Sequence, residues 1–474
     1  MGKGRNHWFR PFLVLPLHPM NNTNDTICAL ATPNGVGAIA MIRLSGSHAK
    51  AIVQRCFSKS IGDKPSHTCH FGNFHAENGD IVDEVLVTVF DHGKSFTGEE
   101  SVEISCHASP FIQKKILETL LNAGARLAHP GEFTMRAFAN GKMDLSQAEA
   151  VADLIASESR NAHNIALKQL KGGFSTELKE LREKLIHFAS LVELELDFAE
   201  EDVEFADRKE LNLLVSEVLL YIQRLAKSFE LGNAIKNGVP VAIVGAPNTG
   251  KSTLLNQLLG EDRAIVSDIA GTTRDVIEEQ LNIDGIQFRL IDTAGIREGA
   301  ETIEALGIER SKAKIVQASI VLCLADSSIE NNLQDVYEWA KEIRATHPDK
   351  KIVLVANKAD LSEKTIENCE FPIVSVSAKF GFGIEAMKET LVETVVADFD
   401  IANETIVSNV RHYDALLRTQ ADLEKAKYAL ETNVTGDFVA LDLRQAMYHL
   451  GTITGQISED DLLANIFAKF CIGK

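Results

Sequence analysis

The chain has 474 residues, 45% of them hydrophobic and 24% charged. That is enough for two to four domains with buried cores, and it excludes a disordered or fibrous protein. The net charge of −19 excludes nucleic-acid binding through overall charge, so an RNA contact needs a local basic patch or a basic partner.

Residues 1–24 open with Lys3, Arg5 and Arg10, followed by the apolar run PFLVLPLHP. This imitates a signal peptide, but three prolines interrupt the run and no small-residue cleavage site follows. The expectation is an over-extended start with Met20 as natural initiator, and a disordered extension over 1–24. The seven cysteines are scattered and lack C-x-x-C spacing, which points to a reducing cytosol and away from a zinc site. No stretch is long and apolar enough to span a membrane, so the expected location is cytoplasmic.

Residues 25–140 alternate short β-like runs with turn-like clusters. The runs are DTICALAT, GAIAMIRLSG, EVLVTVF and SVEISC, and the helix-like PFIQKKILETLLNAG follows. This predicts an α+β domain. From 141 to 237 the period becomes helical, with segments over 144–170, 174–199 and 207–231 and a break at Gly172-Gly173. Residues 238–397 alternate strand and helix patterns, which is the doubly wound α/β arrangement. Its strand candidates are VPVAIV, FRLID, SIVLCLAD, KIVLVANK and PIVSVSA. Residues 398–474 are helical again, so the α/β unit reads as an insertion in a helical domain.

Within that insertion, Gly245, Gly250, Lys251 and Ser252 occupy the fixed places of G-x-x-x-x-G-K-[ST]. Such a loop turns its N–H groups, and the positive end of the next helix, toward phosphate. Lys251 adds charge near the β and γ phosphates, and Ser252 offers a hydroxyl to Mg²⁺. Asp292-Thr293-Ala294-Gly295 follows the strand FRLI; the acid can hold Mg²⁺ through water and the glycine can sense the γ-phosphate. Gly271-Thr272-Thr273-Arg274 can supply a second Mg²⁺ hydroxyl on a switch loop. Asn357-Lys358-Ala359-Asp360 ends another strand, and its aspartate can accept from guanine N1–H and the N2 amine. Ser377-Ala378-Lys379 can place a backbone N–H on the guanine O6. Four such motifs in this order predict a GTPase that binds GTP with Mg²⁺. Where Ras-like enzymes carry a water-orienting glutamine, this chain has Ile296, which cannot polarise water. Arg274, Arg297, Glu298, Glu301 and Glu304 remain as alternatives on chemistry alone.

The two ends carry a resemblance. D-T-I-C-A-L-A-T-P at 25–33, I-R-L-S-G at 42–46, F-T-G-E at 96–99, H-P-G-E-F-T at 129–134, R-A-F-x-N-G-K-x-D-L-x-Q-A-E-A at 136–150 and the terminal Cys471-Ile472-Gly473-Lys474 resemble the MnmE (TrmE) family of tRNA uridine-modification GTPases. The resemblance covers residues 25–474. It implies a folate-binding and dimerising α+β domain over 25–140, a discontinuous α-helical domain over 141–237 and 398–474, and an inserted Ras-like GTPase domain over 238–397. It also implies a homodimer that works with a flavoprotein partner, MnmG (GidA), in a heterotetramer or larger complex. The FAD is in the partner, and tRNA is met mainly through the complex. The implied reaction adds an aminomethyl or carboxymethylaminomethyl group to C5 of the wobble uridine. The carbon comes from tetrahydrofolate in its 5,10-methylene or 5-formyl form, and the nitrogen from glycine or ammonium.

Residue by residue, the resemblance implies K⁺ ligands at Asn248, Ser267, Ile269 and Thr272, and Mg²⁺ ligands at Ser252 and Thr273. It makes Glu304 the acid that positions the hydrolytic water; Lys251, from its charge at the phosphates, and Arg274, from its nearness to the switch motif, are the further catalytic candidates. Nucleotide contacts then fall on Asn248, Thr249, Gly250, Lys251, Ser252 and Thr253, and on Ser267, Asp268, Ile269, Ala270, Gly271, Thr272 and Thr273. They continue at Asp292, Thr293, Ala294 and Gly295, at Asn357, Lys358, Ala359 and Asp360, and at Ser377, Ala378 and Lys379. Arg43, Glu103, Lys142 and Lys474 match folate-contacting positions, and Cys471 matches the cysteine of the C-terminal motif.

Overall fold

The computed structural model describes residues 25–197, 208–261, 279–291, 314–362, 366, 368–396, 399, 404–432, 434–457, 463, 466–468 and 470–473. The expected N-terminal extension lies outside them. The chain divides into two compact units, Met1–Ala152 with Gly455–Lys474, and Asp153–Thr454.

In the first unit β1 (Ile27–Leu30), β2 (Ile39–Ser45), β3 (Thr68–His75), β4 (Ile81–Phe90), β5 (Ser101–His107) and β6 (Arg126–Leu127) form one sheet, in the order β3-β4-β5-β2-β1-β6. Only β1 and β6 pair in parallel. Alternation along β2 buries Ala40, Ile42 and Leu44, as period-2 side-chain direction requires. They share a core with Ile52 and Val53 of α1 (Ala49–Cys56) and Ile116 and Leu120 of α2 (Pro110–Asn122). On β1 the fully buried Ile27 packs with Phe133 of α3 (Glu132–Ala139). Full burial of a phenylalanine is worth about 2–3 kcal/mol. Helix α4 (Leu145–Ile155) begins in this unit, where Leu145 and Ala148 join Phe467 and Phe470 from near the C-terminus.

Strand β3 was not among the expected runs. It is an edge strand with a glycine at its centre, and the absent side chain admits a neighbour: a Cβ on Gly72 would lie 2.7 Å from the Phe57 ring.

The second unit holds α5 (Arg160–Leu170), α6 (Gly173–Asp197), α7 (Arg208–Lys227) and α8 (Phe229–Asn237). The expected single helix over 144–170 is two helices. The break is local chemistry: Ser159 caps α5, its hydroxyl accepting from Ala162 N–H at 3.2 Å, which satisfies an otherwise orphan donor. A turn at Ser228 likewise separates α7 from α8, and the break at Gly172 uses its left-handed φ of 82°.

Next comes a six-stranded sheet of β7 (Val239–Gly245), β8 (Glu279–Ile283), β9 (Ile286–Leu290), β10 (Ile320–Asp326), β11 (Lys351–Asn357) and β12 (Ile373–Ser375). Its order is β12-β11-β10-β7-β9-β8, parallel except for the β8–β9 hairpin. Strand β8 escaped the sequence reading although its signal was there. Asp284-Gly285 takes φ of 50° and 77°, the positive pair that an Asp-Gly hairpin turn needs. The fully buried β10 reads as an unbroken apolar run because both sheet faces are covered. On one face lie α9 (Lys251–Glu261) and α11 (Ile384–Val396), and on the other α10 (Asn332–Thr346).

Helices α12 (Val410–Glu431) and α13 (Gly436–Thr454) follow the sheet in sequence and pack back on α7 and α6. Leu178, Val215, Leu416 and Leu443 share one core. Helical segments before and after the sheet therefore bury a common interior, which periodicity by itself could only suggest. Among the described residues no helix is long and apolar enough to cross a membrane, and all seven cysteines are unpaired.

Candidate nucleotide-binding site

The phosphate loop runs from the end of β7 into the start of α9, so backbone N–H groups and a helix N-terminus converge on one place. Gly245 lies against β10: a Cβ there would be 2.6 Å from Leu324 O. Asn248 takes a left-handed φ of 62° and Gly250 a φ of 94°. A side chain on Gly250 would place Cβ 2.2 Å from Asn357 Nδ2. Thr249 is buried, and its hydroxyl donates to Ala246 O at 2.9 Å. Lys251 Nζ donates to Gly245 O at 3.0 Å and Ala246 O at 2.7 Å. The ammonium is thus held by carbonyls of its own loop. Ser252 and Thr253 are exposed in the first turn of α9.

Asn357, 2% exposed, ties this loop to the Ser377-Ala378-Lys379 segment. Its Nδ2 donates to Thr249 O at 2.7 Å, and its Oδ1 accepts from Ala378 N–H at 3.0 Å. The sequence placed Asn357 among the nucleotide contacts; here one Nδ2 hydrogen and one Oδ1 lone pair also bind protein. Ser377, also buried, donates its hydroxyl to Asp360 Oδ1 at 2.5 Å. Asp360 itself is exposed, with one carboxylate oxygen held by this bond. Ala359 N–H donates to Val376 O at 3.0 Å, and Ser377 N–H to Phe382 O at 2.9 Å. The tight turn after Lys379 relies on Gly383, where a Cβ would lie 2.2 Å from Ser375 O.

One residue of this site was missed in the sequence. Asp326 ends β10 opposite Asn357 in the parallel register, and its Oδ2 meets Lys358 Nζ at 2.5 Å. Burial works against ionisation of Asp326, but the bonds from Lys358 and Ser328 outweigh it and hold the carboxyl below the usual carboxylate range. The available signal was an acid at the carboxyl end of a strand adjoining the phosphate strand, where ligands of open α/β sheets bind.

Several expected contacts lie outside the described residues. These are Ser267, Asp268, Ile269, Ala270, Gly271, Thr272, Thr273 and Arg274, then Asp292, Thr293, Ala294, Gly295, Ile296, Arg297 and Glu298, and finally Glu301, Glu304 and Lys474. Among the described residues no group of three His, Cys, Asp or Glu side chains could hold a metal alone. The exposed Ser252 hydroxyl and Asn248 amide suit a cation that takes most of its ligands from phosphate and water.

The expected folate positions sit in the first unit. Arg43 and Glu103 are cross-strand partners on β2 and β5. Arg43 Nε donates to Glu103 Oε1 at 2.9 Å and Nη2 lies 2.7 Å from the same oxygen. The guanidinium is 5.5 Å from the ring centre of Phe96 and 5.8 Å from that of Phe133. Lys142 donates to Gly93 O at 3.0 Å. Cys471 is exposed, and its carbonyl accepts from Gly131 N–H at 3.4 Å. Gly473, with φ of 98°, lies so close to β1 that a Cβ would be 2.4 Å from Leu30 O. Beneath runs an ion network. Arg136 Nη2 contacts Asp25 at 2.6 Å and Glu132 at 3.0 Å, and Arg126 Nη2 contacts Asp25 at 2.8 Å and Glu132 at 2.6 Å.

Residues 26–142 match the family described as GTP-binding protein TrmE N-terminus, and residues 145–471 that described as MnmE helical domain. A tRNA modification GTPase MnmE of Cytophaga hutchinsonii is 54% identical over 462 residues, covering 96% of this chain and 99% of the relative. That of Flavobacterium johnsoniae is 51% identical over 463 residues, covering 95% and 99%. Among solved structures, the G domain of the T. maritima FeoB iron transporter aligns with 33% of this chain and 98% of its own at 26% identity, with a TM-score of 0.26. A TM-score that low gives this likeness no weight.

Proposed function

Because this chain belongs to the MnmE family of tRNA modification GTPases and so hydrolyses GTP to GDP and phosphate in tRNA modification, we propose that it acts as a K⁺-stimulated, Mg²⁺-dependent homodimer. With an FAD-containing partner of the MnmG type it adds an aminomethyl or carboxymethylaminomethyl group to C5 of the tRNA wobble uridine. The observation that carries the nucleotide half is the double brace of Asn357, which joins Thr249 of the phosphate loop to Ala378 of the base-reading turn. One side chain fixes the distance between the phosphate and guanine subsites.

The chain's own residues then have these tasks. Lys251 turns from the Gly245 and Ala246 carbonyls to the β and γ phosphates. Asp360, with one oxygen pinned by Ser377, presents the other to the guanine N1–H and N2 edge. Ala378 N–H is engaged by Asn357, so the Lys379 N–H is left for the base oxygen. Ser252 and Thr273 hold Mg²⁺, and Asn248, Ser267, Ile269 and Thr272 hold K⁺; these cations supply positive charge against the charge that builds on the phosphates. Glu304 orients water in place of the glutamine that Ile296 replaces, and Arg274 adds a nearby positive charge. G domains of two copies meet when GTP and K⁺ are bound.

Folate binding rests on chemistry that suits a pterin. Glu103 is an acceptor for paired N–H donors, Phe96 and Phe133 give aromatic surface, and Arg43 and Lys142 with Lys474 supply cations. A bound tetrahydrofolate derivative supplies the one-carbon unit. Gly473 directs the tail that carries Cys471 along β1, within the unit that holds Arg43.

Nucleoside mass spectrometry of tRNA from a deletion strain tests the reading. Loss of the C5 aminomethyl-type groups at the wobble uridine is expected, and unchanged wobble uridines would overturn it. For the base subsite, Asp360→Asn should weaken GTP and strengthen xanthosine triphosphate, whose C2 oxygen accepts where guanine donates.

A further inference from the structure

The apolar cores of the second unit do not divide where the sequence pattern changes from helical to α/β. Ile165 of α5 and Leu231 and Ile235 of α8 are buried with Ile283, Ile286 and Phe288 of the β8–β9 hairpin, in a core on one face of the sheet. The start of α5 is tied to the same hairpin: Asn161 Nδ2 donates to Asp284 O at 3.0 Å, and Gln287 Nε2 to Glu158 Oε2 at 3.0 Å. Phe174, Ala226 and Val407 belong instead to the core of α6, α7, α12 and α13. The chain therefore passes from one core to the other three times, between Ile165 and Phe174, between Ala226 and Leu231, and between Ile406 and Val407. The first passage contains Gly172, with its left-handed φ of 82°. At the second, the buried Ser228 hydroxyl donates to Leu225 O at 2.7 Å and accepts from Val407 N–H at 3.0 Å, which pins the second passage to the third. Polar contacts surround them. Arg224 Nη2 donates to Glu404 Oε1 at 2.7 Å, the Thr405 hydroxyl to Glu177 Oε1 at 3.0 Å, and Lys168 Nζ to Glu404 O at 2.9 Å. A cleft of about 330 Å³ is lined there by Ile165 and Ile406 from one core and Phe174 and Val407 from the other. Close-packed apolar interiors resist deformation, whereas polar contacts beside open space yield at low cost.

We propose that these three passages are the joint on which the nucleotide-binding sheet turns: α5 and α8 travel with the sheet, and Ser228 is the pivot that holds two of the passages together. This rests on the reading that nucleotide brings the sheets of two copies together, and it assigns the place in the chain where that motion occurs. The β8–β9 hairpin stands in sequence between the motifs at 271–274 and 292–295. Helix α5, bonded at the hairpin turn, is thus the helix that carries a displacement of the hairpin toward Gly172.

The test is pulsed distance measurement between spin labels on the full-length protein, with Cys69, Cys369 and Cys471 replaced by serine. Labels go on three exposed positions, as His163→Cys in α5, Glu338→Cys in α10 and Arg418→Cys in α12. Doubly labelled chains are diluted with unlabelled chain, so that only distances within one copy are read. Addition of β,γ-imido GTP with K⁺ should leave the 163–338 distance in place and shift the 163–418 distance. Any shift of 163–338 overturns the proposal, because α5 would then not travel with the sheet. Glu338→Cys alone, undiluted, reads whether the sheets of two copies approach. No approach removes that functional reading and the joint with it; approach with 163–418 unmoved overturns the joint alone. For the pivot, Ser228→Ala leaves the Val407 N–H without its partner. It should lower wobble-uridine modification severalfold with fluorescent-GDP affinity unchanged, and Ser228→Thr, which keeps the hydroxyl, should restore modification. Normal modification by Ser228→Ala overturns the pivot, as does failure of Ser228→Thr to recover it.

Discussion

Gly250 and Asn357 are so close that any side chain at 250 would displace the asparagine: its Cβ would lie 2.2 Å from Asn357 Nδ2. The second glycine of the phosphate pattern is therefore required by the neighbouring strand, independently of any contact with phosphate. Gly250→Ala should break the bridge from Thr249 to Ala378 and leave a buried carbonyl and a buried N–H without partners. Each such group costs about 1–3 kcal/mol, so the two cost about 2–6 kcal/mol; that amount lost from the bound state lowers GDP affinity by about thirtyfold or more. Equilibrium titration with fluorescent GDP checks this, and near-normal binding would show that the loop tolerates an uncoupled Asn357.

Asn248→Ala removes the exposed amide proposed to hold K⁺ and leaves the rest of the loop intact. GTP binding should be largely kept while stimulation of hydrolysis by K⁺ over Na⁺ disappears. Equal stimulation in the variant would refute the ligand role. Glu304→Ala gives the complementary result, tight GTP binding with slow turnover. A near-normal rate would take Glu304 out of the hydrolytic machinery.

Gly473 lies with φ of 98° against Leu30 O, where a Cβ would be 2.4 Å away. Gly473→Ala should lift the end of the tail off β1 and move Cys471 with it. The expected result is reduced wobble-uridine modification with GTP hydrolysis unchanged. Nucleoside mass spectrometry beside a phosphate-release assay reads both, and intact modification would separate the tail from the chemistry.

Acid should weaken the first unit in a defined window. Burial pushes Asp25 and Glu132 upward, but the hydrogen bonds and charges of Arg126 and Arg136 outweigh it, so both carboxyls titrate below their ordinary 3.8 and 4.5. A depressed folded pKa means the unfolded chain takes up protons first as pH falls. The contribution is therefore complete above the ordinary values and is lost as pH drops through the folded ones. Arg136→Leu leaves Asp25 and Glu132 to Arg126 alone and should cost less than the about 3–5 kcal/mol of a fully uncompensated buried charge near neutrality. That cost should shrink once the carboxyls are protonated. Urea unfolding at pH 7 and near pH 3.5, followed by a probe in the first unit, measures the difference. A penalty equal at both values would mean that Arg136 acts by packing alone.

By itself the sequence determined the nucleotide chemistry, because phosphate is recognised by a continuous stretch of backbone and each base-reading motif is local. Gly245, Gly250, Lys251 and Asp360 carry their meaning within a few residues of chain. It also supplied the family, through motifs at both ends. The helix breaks at Ser159 and Ser228 and the strand β8 were harder to read, since a cap or an Asp-Gly turn interrupts a pattern that periodicity alone would continue. Tertiary structure decided what no spacing encodes. It gave Asn357 a bracing role in addition to the expected contact, gave Lys358 an acid 32 positions away in Asp326, and laid Gly473 on β1. Each of these depends on strand register or on the chain's return over hundreds of residues. A side chain's partner is then set by which segments pack together, and packing is a property of the whole fold.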